Sequence, residues 1–122
     1  MHIQLNTDNH IAASPALSEK VEKILRQGLK HLTDEITRIE VHLNDENGVK
    51  SGSNDKRCLL EARVPGMPPV SVEHRADTVA LAAGGATEQL ARALKSALDK
   101  ARGNSKQHES IKYLDQGESS DL

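Results

Sequence analysis

Six histidines, one cysteine and two short polar loops are the places where this 122-residue chain could concentrate side-chain chemistry. The histidines fall at positions 2, 10, 31, 42, 74 and 108, without the H-x-x-x-H spacing that sets two imidazoles on one helical face. The single cysteine, Cys58, gives neither a zinc signature nor an internal disulfide, and reads as a small buried apolar residue. His42 and His74 sit on strand-like segments where they could approach across a sheet; a strand-surface histidine is far more often a plain polar residue. Asn44-Asp45-Glu46-Asn47-Gly48 lacks the alternating ligands of a calcium loop, and its twelfth position is Asp55 instead of glutamate. Gly48 to Gly52 lacks the Gly-Lys-Ser/Thr of a phosphate loop, and no nucleophile has an evident base. The chain therefore reads as a non-enzyme with no metal, no cofactor and no small-molecule substrate.

What remains is electrostatic chemistry. Lys23, Arg26 and Lys30 fall within a narrow arc of one helical segment, with Lys20 nearby and Glu19 and Glu22 interspersed. Arg92, Lys95 and Arg102 share the outer face of a second, with Glu88 and Asp99 at pairing distances along the helix. Such stripes serve either as solvated, self-compensating surface or as a binding face for an anion. Aromatic content narrows the choice of partner. With no Phe or Trp and only Tyr113 near the end, the domain offers no base-stacking platform, which counts against RNA-recognition-motif and OB-fold readers of unpaired bases.

The elements that position these residues follow from periodicity. His2 to Asn6 alternates, with Ile3 and Leu5 on one side, as a short strand. Ser14-Pro15 is a helix start: a hydroxyl N-cap, then proline where its missing N–H costs nothing. Leu17, Val21, Ile24, Leu25, Gly28 and Leu32 continue an apolar stripe to about residue 32. Thr37 to Asn44 alternates Ile39, Val41 and Leu43 against Arg38, Glu40, His42 and Asn44. After the polar turn of Asp45 to Asp55, Lys56 to Val64 alternates Cys58, Leu60, Ala62 and Val64 against Arg57, Leu59, Glu61 and Arg63. Pro65-Gly66 and Pro68-Pro69 make the next turn, and Val70 to Arg75 the fourth strand. From Asp77 to Arg102 a long helix carries Val79, Ala83, Ala86, Leu90, Ala93, Leu94, Ala97 and Ala101 as its apolar stripe. Alanine at most of those positions lets the helix approach a sheet closely.

The order β-α-β-β-β-α predicts an α+β two-layer sandwich. A right-handed crossover makes strands one and two parallel, the others meander antiparallel, and both helices cover one face of a four-stranded mixed sheet. The opposite face would carry Gln4, Arg38, Glu40, His42, Arg57, Glu61, Arg63, Glu73 and Arg75, polar and of mixed sign. Gly84 and Gly85 project outward on the helical wheel and weaken the long helix by roughly 2 kcal/mol relative to alanines. Close approach to RNA or a partner, a local bend, and a tolerated weakness all fit them.

Length, 36% apolar and 28% charged content make one small domain with a tail. No run approaches the roughly 20 apolar residues that span a bilayer, and the N-terminus lacks a basic segment before an apolar one, so a cytoplasmic protein without a membrane partner is expected. Residues 1–103 carry 14 Lys and Arg against 14 Asp and Glu; the stated net charge of −2 comes from residues 104–122. Gly103-Asn104-Ser105 ends the helical pattern, and 104–122 reads as a polar, disordered tail with Ile111, Tyr113 and Leu114 as its one sticky point.

The element order, the opening Met-His-Ile-Gln-Leu-Asn, the strand Ile39-Glu40-Val41-His42-Leu43 and the segment Gln89-Leu90-Ala91-Arg92-Ala93-Leu94-Lys95 together resemble the ribosome hibernation promoting factor family, which includes protein Y, over residues 1–103. The resemblance implies a protein seated on the small ribosomal subunit, in the tRNA and mRNA channel, that holds ribosomes inactive under stress. It implies that Lys20, Lys23, Arg26, Lys30, Arg92, Lys95 and Arg102 contact the 16S rRNA backbone, a mode that needs no aromatic side chain. The resemblance is to the short members, for which the C-terminal dimerisation domain of long members is not expected, and the neutral domain departs from the family's usual richness in lysine and arginine. A second reading keeps the fold without the ribosome: a protein-interaction or regulatory module, homodimeric through the open sheet face or the tail.

Overall fold

In the computed structural model Ser14 stands at the head of the first helix in extended conformation (φ −149°, ψ 159°), and its hydroxyl accepts the Leu17 N–H at 3.1 Å. That cap, worth about 1 kcal/mol, with Pro15 at the first helical position, starts α1, Pro15–Gly28. The other elements are β1 His2–Thr7, β2 Arg38–Asp45, β3 Lys56–Arg63, β4 Val70–Ala76 and α2 Val79–Ser110. The structure describes residues 1–8, 11–46 and 55–110, with the backbone alone for 103–110.

The sheet has the order β1-β2-β3-β4. β1 runs parallel to β2, pairing Ile3 with Ile39 and Leu5 with Val41, and the remaining pairs are antiparallel. The alternation in the sequence therefore sets the two faces. Ile39, Val41, Leu43, Cys58, Leu60 and Ala62 all point to one face and are fully buried with Val21, Leu25 and Leu29 of the α1 region and Ala82, Ala83, Ala86 and Leu90 of α2. Between β3 and β4 the chain turns at Val64-Pro65-Gly66-Met67, where Met67 N–H reaches Val64 O at 3.1 Å and Gly66 takes φ +80°. Proline then positive-φ glycine is the type II pattern.

Contacts divide the chain into two compact units, Met1–Arg92 and Ala93–Leu122. The first holds the sheet, α1 and α2 up to Arg92; in the second, the described residues continue α2, with Leu94 and Leu98 buried. The α+β sandwich expected from the sequence is thus observed. Three details differ. α1 stops at Gly28 rather than near residue 32: Leu29 is its C-cap, and two further turns close through Leu32 N–H to Leu29 O and Glu35 N–H to Leu32 O. The buried stripe of α2 includes Ala82, Thr87 and Leu98, whereas Ala101 is exposed. Finally, α2 runs on to Ser110, so Gly103-Asn104-Ser105 does not end it. Residues 111–122, with Ile111, Tyr113 and Leu114, lie outside the described residues. Among the described residues no helix is long and apolar enough to cross a membrane.

Candidate nucleic-acid interface

The two exposed sides of the first unit handle their charge in opposite ways. On the open sheet face like charges stand directly across from each other: Arg38 opposite Arg63, Glu40 opposite Glu61, Arg57 opposite Arg75. Such pairs repel, and the compensation runs along the strands and diagonally instead. Arg38 meets Glu40 at 3.2 Å and the Gln4 side chain; Arg63 meets Glu61 at 3.8 Å. Arg57 bonds Glu73 and, at 3.1 Å, Asn44 Oδ1, while Arg75 bonds Glu46 and lies 3.9 Å from Glu73. All four arginines of this face are spoken for. An open pocket of about 280 Å³ here, bordered by Asn6, Asp8, His42, Asn44, Arg57 and Leu59, therefore presents no uncompensated cation.

The helical side is different. Lys20 and Lys23 stand exposed on α1, and Lys30, exposed as well, sits in the turn that follows α1 instead of on the helix where the sequence put it. Among the described residues no carboxylate pairs with Lys20, Lys23, Lys30, Arg92 or Lys95. Arg26 is the exception on α1: its Nε lies 3.4 Å from Glu22 Oε1 and its Nη2 donates to the Met1 carbonyl at 3.3 Å. It anchors the start of β1 as well as adding charge. On α2 the spacing allowed Glu88 to compensate Arg92 and Asp99 to compensate Lys95. Neither pair forms, and only Arg102 meets Asp99, at 4.0 Å. Solvated i,i+4 pairs contribute only about 0.2–0.5 kcal/mol, too little to hold long side chains together. Lys20, Lys23, Arg26, Lys30 and Arg92 belong to the first unit; Lys95 and Arg102 belong to the second, on the same helix as Arg92. Lys100, exposed on α2 and without a carboxylate partner among the described residues, carries the same kind of charge and was missed because it falls off the arc of the other three.

Two close contacts seat α2 in the first unit. A Cβ built on Gly85 would lie 2.7 Å from His74 Cγ and nearer still to Cδ2 and Nε2, so the helix backbone rides over the imidazole of β4. Gln89 adds a 3.1 Å hydrogen bond between its Nε2 and His74 Nδ1. Gly85 thus faces the sheet, contrary to the outward direction read from the wheel; Gly84 alone faces open space. His74 is on the helix-covered face, whereas His42 lies on the open face beside Glu40 at 3.6 Å, so the two imidazoles do not approach each other. The second contact is with α1: a Cβ at Gly28 would overlap Thr87 Cγ2.

The remaining charged cluster closes the β2–β3 loop. Lys56 Nζ lies 3.2 Å from Asp55 and 3.4 Å from Asp45, both carboxylates nearly buried, and Asp8 accepts the Asp45 N–H at 2.9 Å. The hydrogen bond that its ammonium donates to Asp55 holds the Lys56 pKa above its ordinary value. Burial pushes the Cys58 thiol up to about 12, so it is an inert apolar residue, as its place in the strand suggested. Among the described residues no cluster of His, Cys, Asp and Glu is placed to hold a metal ion.

The family model of the sigma 54 modulation protein / S30EA ribosomal protein matches residues 5–102. The chain belongs to this family. Against curated proteins the sequence finds no match. Among solved structures, a ribosomal subunit interface protein from Coxiella burnetii is similar, with TM-score 0.66 and 22% identity over 81% of this chain and 99% of that one. The Protein Y N-terminal domain of Thermus thermophilus is similar at TM-score 0.62 and 24% identity, over 79% and 98%. At those identities the likeness is one of fold. The family model, over most of the chain, bears out the resemblance read from the sequence and makes this a ribosome-associated protein.

Proposed function

We propose that the protein binds the small ribosomal subunit through the phosphate backbone of 16S rRNA, in the channel used by tRNA and mRNA, and thereby lowers translation under stress. The observation that carries the reading is the asymmetry of charge: the arginines of the sheet face are neutralised by neighbouring acids, while Lys20, Lys23, Lys30 and Arg92 on the helical side are not. A polyanion gains most where cations have no internal partner to give up. Membership of a ribosomal family supplies the partner, and the similarity to a ribosomal subunit interface protein supports a seat between the subunits. The same chemistry accounts for a reader with one tyrosine and no Phe or Trp: folded RNA is gripped through phosphate and shape, and no base is stacked.

Binding of this kind releases counterions, at about 0.7–0.9 per phosphate neutralised. The four cations of the first unit without a carboxylate partner among the described residues, Lys20, Lys23, Lys30 and Arg92, therefore set an affinity that falls by roughly 10² between 50 and 200 mM salt. The test is equilibrium binding of the purified full chain to purified small subunits across that salt range. A steep linear dependence of log affinity on log salt supports the reading. Binding insensitive to salt, or absent at the lowest salt, refutes it.

A further inference from the structure

At the contact between Gly28 and Thr87 the two cation-bearing helices of the first unit meet without room for a side chain. Thr87 is 2% exposed, a buried hydroxyl residue in a stripe otherwise made of alanine and leucine. Its Oγ1 donates to Ala83 O at 2.7 Å, within its own helix. That bond fixes the rotamer, and with the hydroxyl held along α2 the methyl is turned to α1. It meets the last residue of α1, Gly28, where a Cβ would lie 3.6 Å from Thr87 Cβ and in overlap with Cγ2. A glycine at a helix end is commonly a chain terminator with φ above zero; Gly28 has no positive φ, and the C-cap is Leu29. Its lack of a side chain is explained by the neighbour it faces.

We propose that Gly28 and Thr87 set the separation between α1 and α2 and are positioning residues for the rRNA interface. The inference rests on the ribosomal reading above and adds what holds its two halves at the spacing of the phosphates. Neither residue touches RNA. Their contact fixes how far Lys20, Lys23 and Lys30 stand from Arg92, which lies five residues, about 7.5 Å, along α2 from Thr87. Gly85 over His74 fixes α2 on its other side, against β4, so α2 cannot yield by sliding away from α1 without losing that seat. A methyl added at position 28 therefore has to widen the gap between the helices. Counterion release requires each cation to lie on a phosphate, so a widened gap lowers the number of contacts while leaving every charge in place.

The test is a double-mutant cycle on the full chain: Gly28→Ala, Thr87→Ser, and both together, each measured for thermal unfolding and for salt-dependent binding to purified small subunits. Thr87→Ser keeps the hydroxyl and removes the methyl, so the double variant moves one methyl from α2 to α1. Gly28→Ala alone is expected to weaken binding about tenfold at 100 mM salt and to reduce the salt slope by about one, the loss of a single phosphate contact. The double variant is expected to regain the wild-type slope and unfolding temperature. A slope in Gly28→Ala equal to that of wild type, or a double variant no better than the single one, overturns the positioning role. Failure of the wild-type chain to bind subunits at low salt overturns the ribosomal reading, and the positioning role with it; in that case the unfolding temperatures still decide whether the two residues are in steric contact.

Discussion

Gly85 lies over the imidazole of His74, with no space between the α2 backbone and the ring for even a methyl group, whereas Gly84 beside it faces open space. Two adjacent glycines in one helix therefore respond to alanine with opposite sign. Gly84→Ala gains helix propensity, about 0.5–1 kcal/mol, and raises the melting temperature by a few degrees. Gly85→Ala has the same gain but must displace the ring or the helix, and overpacking of that kind costs about 1–3 kcal/mol. Thermal unfolding of the two variants checks this; stabilisation by both contradicts the described seat of α2.

Gly66 makes a different demand. Nothing lies near a Cβ built there, yet its φ is +80°. Gly66→Ala is expected to lose about 1–2 kcal/mol through backbone strain alone. Gly66→Asn should lose less, because asparagine tolerates that region, and chemical denaturation of the pair separates strain from packing.

Stability is expected to fall in alkali. Cys58, ordinarily near 9.0, is raised to about 12 by burial, so the unfolded chain ionises its thiol first and the folded state loses ground from pH 9 upward. The slope from one such group reaches about 1.4 kcal/mol per pH unit. Lys56 acts in the same direction at higher pH: its folded pKa is raised above 10.5, so the bonds to Asp55 and Asp45 contribute fully below that value and are lost as pH rises through the folded one. Urea midpoints between pH 7 and 10.5 test the trend, and Cys58→Ala should remove most of the decline that begins near pH 9. Thiol reagents should leave the native protein unmodified at pH 8.

Charge removal should distinguish the two exposed sides. Lys20→Gln, Lys23→Gln and Lys30→Gln are each expected to lower the salt slope of subunit binding by about one. Arg63→Gln on the sheet face, which removes an arginine already paired with Glu61, should leave that slope unchanged. Equal effects from both sides would contradict the placement of the interface.

The strands and their faces could be read from alternation alone, because one buried face imposes a period of two that side-chain polarity records directly. The start of α1 was readable from Ser14-Pro15 for a local reason of the same kind. What escaped depends on contacts between elements. Leu32 continues the apolar pattern of α1 although the helix has already ended at Gly28, so Lys30, two residues past that end, was placed on the helix. Glycine has no polarity to mark its face, and a wheel sends it wherever its neighbours leave room; only the position of His74 shows that Gly85 points inward. Thr87 was left out of the core because threonine is polar by type; its hydroxyl is satisfied within its own helix, which lets it be buried. As for the candidate interface, its cations were identifiable by type and spacing, but which of them are already compensated was not: Arg26 is tied to Glu22 and Met1, while Arg92 and Lys95 are not paired with the acids one turn away.

The central claim is that unpaired cations on the helical side hold this protein to the small ribosomal subunit. It is tested most directly by sucrose-gradient sedimentation of lysates containing either the wild-type chain or the Lys23→Glu, Arg92→Glu double variant, with the protein followed by antibody across all fractions. The wild-type chain is expected in the small-subunit and ribosome fractions at low salt and at the top of the gradient at high salt, with the double variant at the top throughout. Co-sedimentation of the double variant with ribosomes as strongly as the wild type would contradict the account.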